Sequence, residues 1–234
     1  MIYLVVKNIK KSMKVTYSKP SQNNNCNQTR NLSKFSKLNL AYCQKNSDEL
    51  HQFFKAEPTK WKEYHKLFKQ SEDNLNQDQD MLPYKKIIKY IDEIEGNRSK
   101  TIVDLGCGKA RIFEHFKNNE RFNILNFDHV ACNENVISKN IKNTDLEDCS
   151  VDYAILCLAM WGNCQDYIKE CYRILDRRSS LLIIEPWKRW CDNDQKENKL
   201  VKMLENNNFK CETIDDRFNE NEFKKFMFIE AVKN

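Results

Sequence analysis

Glycine is scarce in this sequence, with only four among 234 residues, at positions 96, 106, 108 and 162. Proteins that bind NAD normally place a third glycine at the start of the helix that follows the phosphate loop. Here Arg111 occupies that place. The glycine pattern therefore disfavours a dinucleotide-binding site.

Metal-binding spacings and long apolar runs are also missing. None of the ten cysteines forms a Cys-x-x-Cys pair, and four histidines are too few to complete a zinc site. We therefore predict no metal site, and we interpret the cysteines as buried free thiols. No stretch approaches the roughly 20 apolar residues of a membrane helix, so we predict no membrane association.

Acidic residues are absent from the first 47 residues, which contain nine Lys or Arg. The rest of the chain carries 30 basic and 34 acidic side chains, so the positive charge is confined to this segment. A detached basic arm favours contact with a polyanion such as RNA. We predict that residues 1–46 form a largely disordered arm that contacts RNA. A mitochondrial targeting peptide and a solubilising tail are the alternatives.

Two patterns of secondary structure follow the arm. Residues 47–99 show helical spacing of apolar residues and predict helices that pack on the cofactor site. Residues 100–234 alternate between apolar strands and amphipathic helices, and no helix separates the last two strands. This α/β pattern predicts the Rossmann-like sheet of class I S-adenosylmethionine (SAM) methyltransferases, with a C-terminal antiparallel hairpin and an N-terminal helical extension.

The segment Asp104-Leu-Gly-Cys-Gly108 ends the first predicted strand and precedes a helix. Its glycines permit a tight turn and the close approach of a ligand, and such folds bind ligands at the carboxyl ends of their strands. Asp128 ends the next strand, where an acid can accept hydrogen bonds from ribose hydroxyls. SAM needs fewer glycines than NAD because it has no pyrophosphate. We predict a SAM site here; the alternative is a structural turn without a ligand.

Several sequence blocks resemble the Rrp8 family of nucleolar ribosomal-RNA-processing methyltransferases, over Trp61 to Val232. These blocks are Tyr64-His-Lys-Leu-Phe68, Asp104-Leu-Gly-Cys-Gly108 with Arg111, Phe127-Asp128, Leu146-Glu-Asp-Cys-Ser-Val-Asp152 and Cys157-Leu-Ala-Met-Trp-Gly162. The resemblance implies SAM-dependent methylation of adenine N1 in large-subunit rRNA, a basic N-terminal extension, and a nuclear, nucleolar location. A mitochondrial location is the alternative.

The resemblance also implies a set of cofactor contacts, which in this sequence are His65, Gly106, Asp128, Asn140, Ile141 and Cys157. The sequence departs from the family in two places. The family usually has Asp where this chain has Asn140, and its Lys-Pro-Gly-Gly turn is here Asp176-Arg-Arg-Ser-Ser180. These departures support a second hypothesis, in which the chain is a non-catalytic RNA- or protein-binding subunit of a ribonucleoprotein complex.

Three tryptophans follow the two strands that would border a substrate. Trp161, Trp187 and Trp190, with Arg189, form a candidate substrate-side set, because aromatic rings can stack on an extruded base. The tryptophans could equally cover the edge of the core. We identify no catalytic acid or base, and catalysis would then depend on alignment of the reacting groups.

Overall fold

The computed structural model describes residues 33–73, 82–191, 198–215 and 226–234. Its strands are β1 (Lys100–Leu105), β2 (Phe122–Asp128), β3 (Ile137–Ser138), β4 (Val151–Cys157), β5 (Leu175–Pro186), β6 (Phe209–Asp215) and β7 (Phe226–Lys233). These strands form one sheet in the order β3-β2-β1-β4-β5-β7-β6.

The direction of the strands follows the predicted plan. β1 lies between β2 and β4 and is parallel to both, and β5 is parallel to β4. β7 is antiparallel to β5 and to β6, so it enters the sheet between them. The fold prediction, a Rossmann-like sheet ending in an antiparallel hairpin, is confirmed.

Eight helices lie in the described ranges: α1 (Lys34–Cys43), α2 (Ser47–Ala56), α3 (Pro58–Asp73), α4 (Pro83–Asp92), α5 (Arg111–Phe116), α6 (Gln165–Ile174), α7 (Trp187–Trp190) and α8 (Lys199–Glu205). Asn46 and Glu49 form a capping box at the start of α2, and Pro83 opens α4, where its missing N–H has no cost. Of the helices in these ranges, none combines the length and the apolar composition needed to cross a membrane.

The disorder predicted for residues 1–46 is wrong for residues 34–43, which form α1. The Ser33 side chain caps this helix by accepting a hydrogen bond from the Ser36 N–H. Tyr42 is 5 % exposed, and Phe35 and Leu38 pack against the same aromatic cluster. The apolar side chains of α1 therefore have a surface on which to order. Residues 1–32 of the predicted arm lie outside the described residues.

Three groups of buried side chains hold these elements together. One face of the sheet packs on α6 and α8, and the opposite face packs on α4 and α5. The apolar residues 153–157 of β4 serve both faces, with Ala154 and Leu156 on one and Ile155 on the other. The third group is an aromatic cluster built by α1, α2 and α3, which also packs against Val130 and Trp161 of the sheet domain.

Residues 176–180, where the family turn was expected, lie inside β5 rather than before it. Leu175 already pairs with Val151, and the ladder continues from Ser180 opposite Tyr153 after a register shift. Arg178 has a φ of 60° within this irregular stretch. Residues 176–180 therefore form an irregular part of the strand within the expected sheet order.

Candidate functional site

A cleft opens at the carboxyl ends of β1, β2 and β4, and α3 forms its opposite wall. Its empty volume is about 1010 Å³, including the solvent at its mouth. The cleft is lined mainly by the glycine loop, by the ends of these strands and by one face of α3. Parallel α/β sheets bind small molecules at this place.

Gly106 lines the cleft at a position that a larger residue could not occupy without strain. Its φ is +79°, and a Cβ at this position would lie 2.5 Å from the Cβ of Ala159. The Gly106 N–H donates to the Phe127 carbonyl at 2.8 Å, which fixes the loop to β2. Glycine at this position therefore lets the loop pack directly against Ala159, which also lines the cleft.

Asp128 ends β2 and accepts several N–H hydrogen bonds, and the Val130 backbone N–H is among the groups that lower its pKa. Trp61 Nε1 and the His129 N–H donate to Oδ1, each at 2.7 Å, and the Gly108 N–H donates to Oδ2 at 2.8 Å. Burial raises the pKa of Asp128 to about 6, against the opposing effect of these hydrogen bonds. The carboxylate is therefore charged at neutral pH and held in one orientation.

Asp104 lies beside Asp128 at the end of β1. It is 3 % exposed and lines the cleft. Burial, with the charge of Asp128 adding to it, raises the pKa of Asp104 to about 7. The two carboxyls give the cleft a negative character that favours a cationic ligand.

Two histidines line the cleft, and both are neutral at pH 7. His65 stacks on Trp61 with ring centroids 3.8 Å apart. Burial lowers the pKa of His65 to about 3, and the charges of Lys109 and Arg111 add to this effect. Burial likewise lowers the pKa of His129 to about 4. Neither ring therefore contributes positive charge to the cleft.

Arg111 lies at the other end of the cleft and ties α5 to α3. Its guanidinium donates to both carboxylate oxygens of Glu72, at 3.1 and 2.8 Å. It also lies over the Tyr84 ring, 4.9 Å from the centroid. This bidentate pair fixes the wall formed by α3, and the sequence analysis did not identify it.

Five of the six predicted cofactor residues line this cleft: His65, Gly106, Asp128, Ile141 and Cys157. Asn140 is not among the lining residues. Its Oδ1 accepts from Ser47 Oγ at 2.5 Å and its Nδ2 donates to Asp48 Oδ1 at 2.9 Å. Asn140 therefore anchors the start of α2, and its expected contact with the cofactor stays a prediction.

The structure separates the predicted substrate-side residues. Trp161 lines the cleft, and its Nε1 donates to Asn39 of α1 at 3.2 Å. Trp190 is 7 % exposed, and its Nε1 donates to the Glu185 carboxylate, which also pairs with Arg189. Neither Trp190 nor Arg189 lines the cleft. Trp187 does not line it either. Trp190 therefore matches the alternative interpretation, that of a core residue.

Trp61 lines the cleft as well, although it is not among the predicted site residues. Its position four residues before His65 lets the two rings stack on one face of α3. Within the described ranges, no group of three or more His, Cys, Asp or Glu side chains could hold a metal ion.

A family model described as "Hypothetical methyltransferase" matches residues 21–234 of this chain. The chain is 36 % identical to Ribosomal RNA-processing protein 8 of Arabidopsis thaliana over 61 % of its length and 46 % of the relative. It is 33 % identical to the 25S rRNA (adenine(645)-N(1))-methyltransferase of Schizosaccharomyces pombe, over 62 % of this chain and 47 % of the relative. The chain thus spans about half the length of these curated relatives.

Solved structures give the same fold. A TehB-like SAM-dependent methyltransferase from Corynebacterium glutamicum superposes with a TM-score of 0.56 at 14 % identity, covering 76 % of this chain and 100 % of the other. The predicted resemblance to the Rrp8 family is confirmed by the sequence relatives, and the class I fold by the structural neighbour.

Proposed function

Because this chain belongs to a family described as hypothetical methyltransferases, we propose that it is a SAM-dependent RNA methyltransferase. Its proposed target is N1 of an adenine in large-subunit rRNA. The observation that carries the proposal is the cleft, in which Gly106, Asp128 and Cys157 meet at the ends of three parallel strands. The rRNA-processing names of the sequence relatives support the choice of substrate.

The residues present fit SAM. Gly106 lines the cleft at the glycine loop, where we place the methionine portion. Asp128 has an acceptor position left for a ribose hydroxyl, and Ile141 offers an apolar surface 4 % exposed. Asp104 adds negative charge that suits an ammonium group or a sulfonium. We place His65 and Cys157 at the walls of the same site.

The reaction needs alignment more than proton transfer. Bound SAM supplies an electrophilic methyl group, and N1 of an unpaired adenine keeps a free lone pair at neutral pH. No general base is required, and the chain must hold the base in line with the methyl group. N1 methylation makes the adenine cationic. His65 and His129 are neutral and therefore do not repel the new positive charge on the adenine, and the Asp104–Asp128 pair attracts it.

The test is mass spectrometry of rRNA nucleosides from cells lacking this protein. We expect 1-methyladenosine to disappear from large-subunit rRNA and to return with the wild-type chain. Loss of a different methylated base would retain the methyltransferase and refute the substrate. Unchanged rRNA methylation, together with binding of S-adenosylhomocysteine, would favour a non-catalytic subunit of a ribonucleoprotein complex.

We also propose that the basic N-terminal segment captures RNA. Residues 1–32 contain six Lys or Arg and no acidic residue. Since α1 belongs to the folded part, truncation should remove residues 1–32 alone. The salt dependence of RNA binding should then flatten by up to about 4 in log–log slope, while cofactor affinity stays unchanged. An unaltered slope would leave mitochondrial targeting as the better account of the segment and would weaken the nuclear, nucleolar location that we propose.

A further inference from the structure

Trp61 and Asp128 form a buried hydrogen bond between the N-terminal helices and the sheet. Trp61 Nε1 donates to Asp128 Oδ1 at 2.7 Å, and the two residues are 2 % and 6 % exposed. An indole N–H is a donor only, and a buried donor without a partner is strongly unfavourable. The Trp61 ring therefore keeps Asp128 as its partner for as long as it stays buried.

The hydrogen bonds of Asp128 leave little of the carboxylate free. A carboxylate has about four acceptor positions, two on each oxygen. Oδ1 accepts from Trp61 and His129, and Oδ2 accepts from Gly108. The Val130 backbone N–H also interacts with the carboxylate and lowers its pKa. Of these assigned bonds, Oδ2 accepts one and Oδ1 two, so Oδ2 is the oxygen better placed to accept from a ligand.

We propose that Trp61 is a positioning residue for the cofactor, holding Asp128 so that Oδ2 accepts a ribose hydroxyl while Oδ1 stays bonded to the indole. This inference rests on the proposed function, because it takes Asp128 as the ribose ligand. If the ribose took Oδ1 instead, it would compete there with the Trp61 and His129 N–H groups. Displacement of the Trp61 bond would leave a buried indole N–H without its partner.

The packing around Trp61 keeps the indole in place. Its ring stacks on His65, and His65 Cε1 lies 3.1 Å from the point where a Cβ on Gly108 would be. The same Gly108 donates its N–H to Asp128. Trp61, His65 and the glycine loop are therefore packed as one unit around the carboxylate.

Trp61 also controls the charge of Asp128, because an N–H that bonds the carboxylate stabilises its ionised form. Other titratable or charged groups interact with Asp128 or share its cleft, and each is present in wild type and variant alike: Asp104, Cys107, Cys132, Cys157, His65, His129, Lys109, Arg111, Glu72, Tyr64 and Tyr84. A difference in pH dependence between the wild type and a Trp61 variant therefore reports the indole bond.

The test measures the affinity of the full chain for S-adenosylhomocysteine between pH 6.0 and 8.5, in wild type and Trp61→Phe. Loss of one hydrogen bond should raise the pKa of Asp128 by about one unit. The variant should then bind about fivefold more weakly at pH 6.0 and about as well as wild type at pH 8.5. A ratio that stays constant across this range would mean that Trp61 acts through packing alone, and would overturn the proposal.

Trp190→Phe is the matched control, since it also removes an indole N–H that bonds a buried carboxylate. Trp190 Nε1 donates to Glu185 Oε2 at 3.2 Å. Glu185 and Trp190 do not line the cleft. This variant should show the wild-type pH dependence. A pH-dependent loss of the same size in both variants would also overturn the proposal, because general loosening of the fold would then explain it.

A second measurement separates this inference from the proposed function. Carbon NMR of the Asp128 carboxyl, without ligand, should show a higher pKa in Trp61→Phe than in wild type. A raised pKa without any binding of S-adenosylhomocysteine would refute the cofactor site and the positioning role. Binding of the ligand with an unchanged pKa would refute the role of Trp61 alone.

If Trp61→Phe does not fold, the wild-type chain supplies the test, because its four tryptophans give few indole N–H signals. The NMR signal of the Trp61 indole N–H should shift as Asp128 titrates. Its proton should stay protected from exchange with solvent when S-adenosylhomocysteine binds. Rapid exchange of this proton in the complex would show that the ligand displaces the indole, and would overturn the proposal.

Discussion

Replacing Asn140 by Asp, the residue usual in the family, should weaken the anchor of α2 rather than improve a cofactor site. The Asn140 amide donates to Asp48 Oδ1 at 2.9 Å and accepts from Ser47 Oγ at 2.5 Å. A carboxylate keeps the second bond but replaces the first by a repulsion between like charges. Loss of the hydrogen bond costs about 1 kcal/mol, and two charges about 4 Å apart in water repel by about 1 kcal/mol.

Lys142, which pairs with Asp48, offsets part of this repulsion. We therefore expect Asn140→Asp to lower the free energy of unfolding by about 1–2 kcal/mol and the Tm by about 2–6 °C. Chemical and thermal denaturation measure both quantities. The double variant Asp48→Asn/Asn140→Asp exchanges the two groups, so it should recover most of the loss and show strong coupling in a double-mutant cycle. Undiminished stability in Asn140→Asp, with a large gain in affinity for S-adenosylhomocysteine, would refute this reasoning and indicate a decayed cofactor contact.

Three further predictions concern the cleft. Gly106→Ala should reduce stability by about 1–3 kcal/mol and affinity for S-adenosylhomocysteine more than about tenfold, because of the positive φ of Gly106 and the clash with Ala159. Denaturation and calorimetry measure the two effects, and tight binding by the variant would refute the assignment of Gly106 to the cofactor site. Arg111→Ala should lower the free energy of unfolding by about 2–3 kcal/mol, because it leaves the Glu72 carboxylate without its partner, whereas Glu72→Gln should lower it less. Equal losses of the two variants in chemical denaturation would argue against the ion pair. Wild-type affinity for S-adenosylhomocysteine should fall as the pH drops through about 6, where Asp128 takes up a proton and stops accepting; a flat profile between pH 5 and 8 would contradict this role.

Periodic patterns made the sheet domain predictable. The alternation of strands and helices predicted over residues 100–234 is present in the structure, and Asp128 ends β2 as predicted. These elements have an apolar repeat that burial requires, so each can be identified from a short window. α1 was missed because its apolar residues are only weakly segregated to one face, and because it follows a polar segment. Its order depends on contacts of Phe35 and Tyr42 with residues far away in sequence.

The candidate site was predictable where a local motif encodes it. The glycine loop and Asp128 follow directly from strand ends, whereas the Trp61–Asp128 bond joins residues 67 positions apart, and no periodicity reports such a pair. Likewise, the closeness of Trp187 and Trp190 in sequence did not show which ring faces the core. Asn140 was assigned from the resemblance alone, and its contact with Asp48 spans 92 positions.

The most direct test of the account is titration calorimetry of the full chain with S-adenosylhomocysteine, in wild type and Asp128→Asn. The amide can still accept from Trp61, so the variant should stay folded, which a thermal melt checks. We predict one binding site in the wild type and an affinity about 10- to 100-fold lower in the variant, the loss expected for a hydrogen bond to a charged group. Absence of binding to the wild type at millimolar ligand, or equal affinity in the two proteins, would contradict the proposal that this cleft binds the cofactor through Asp128.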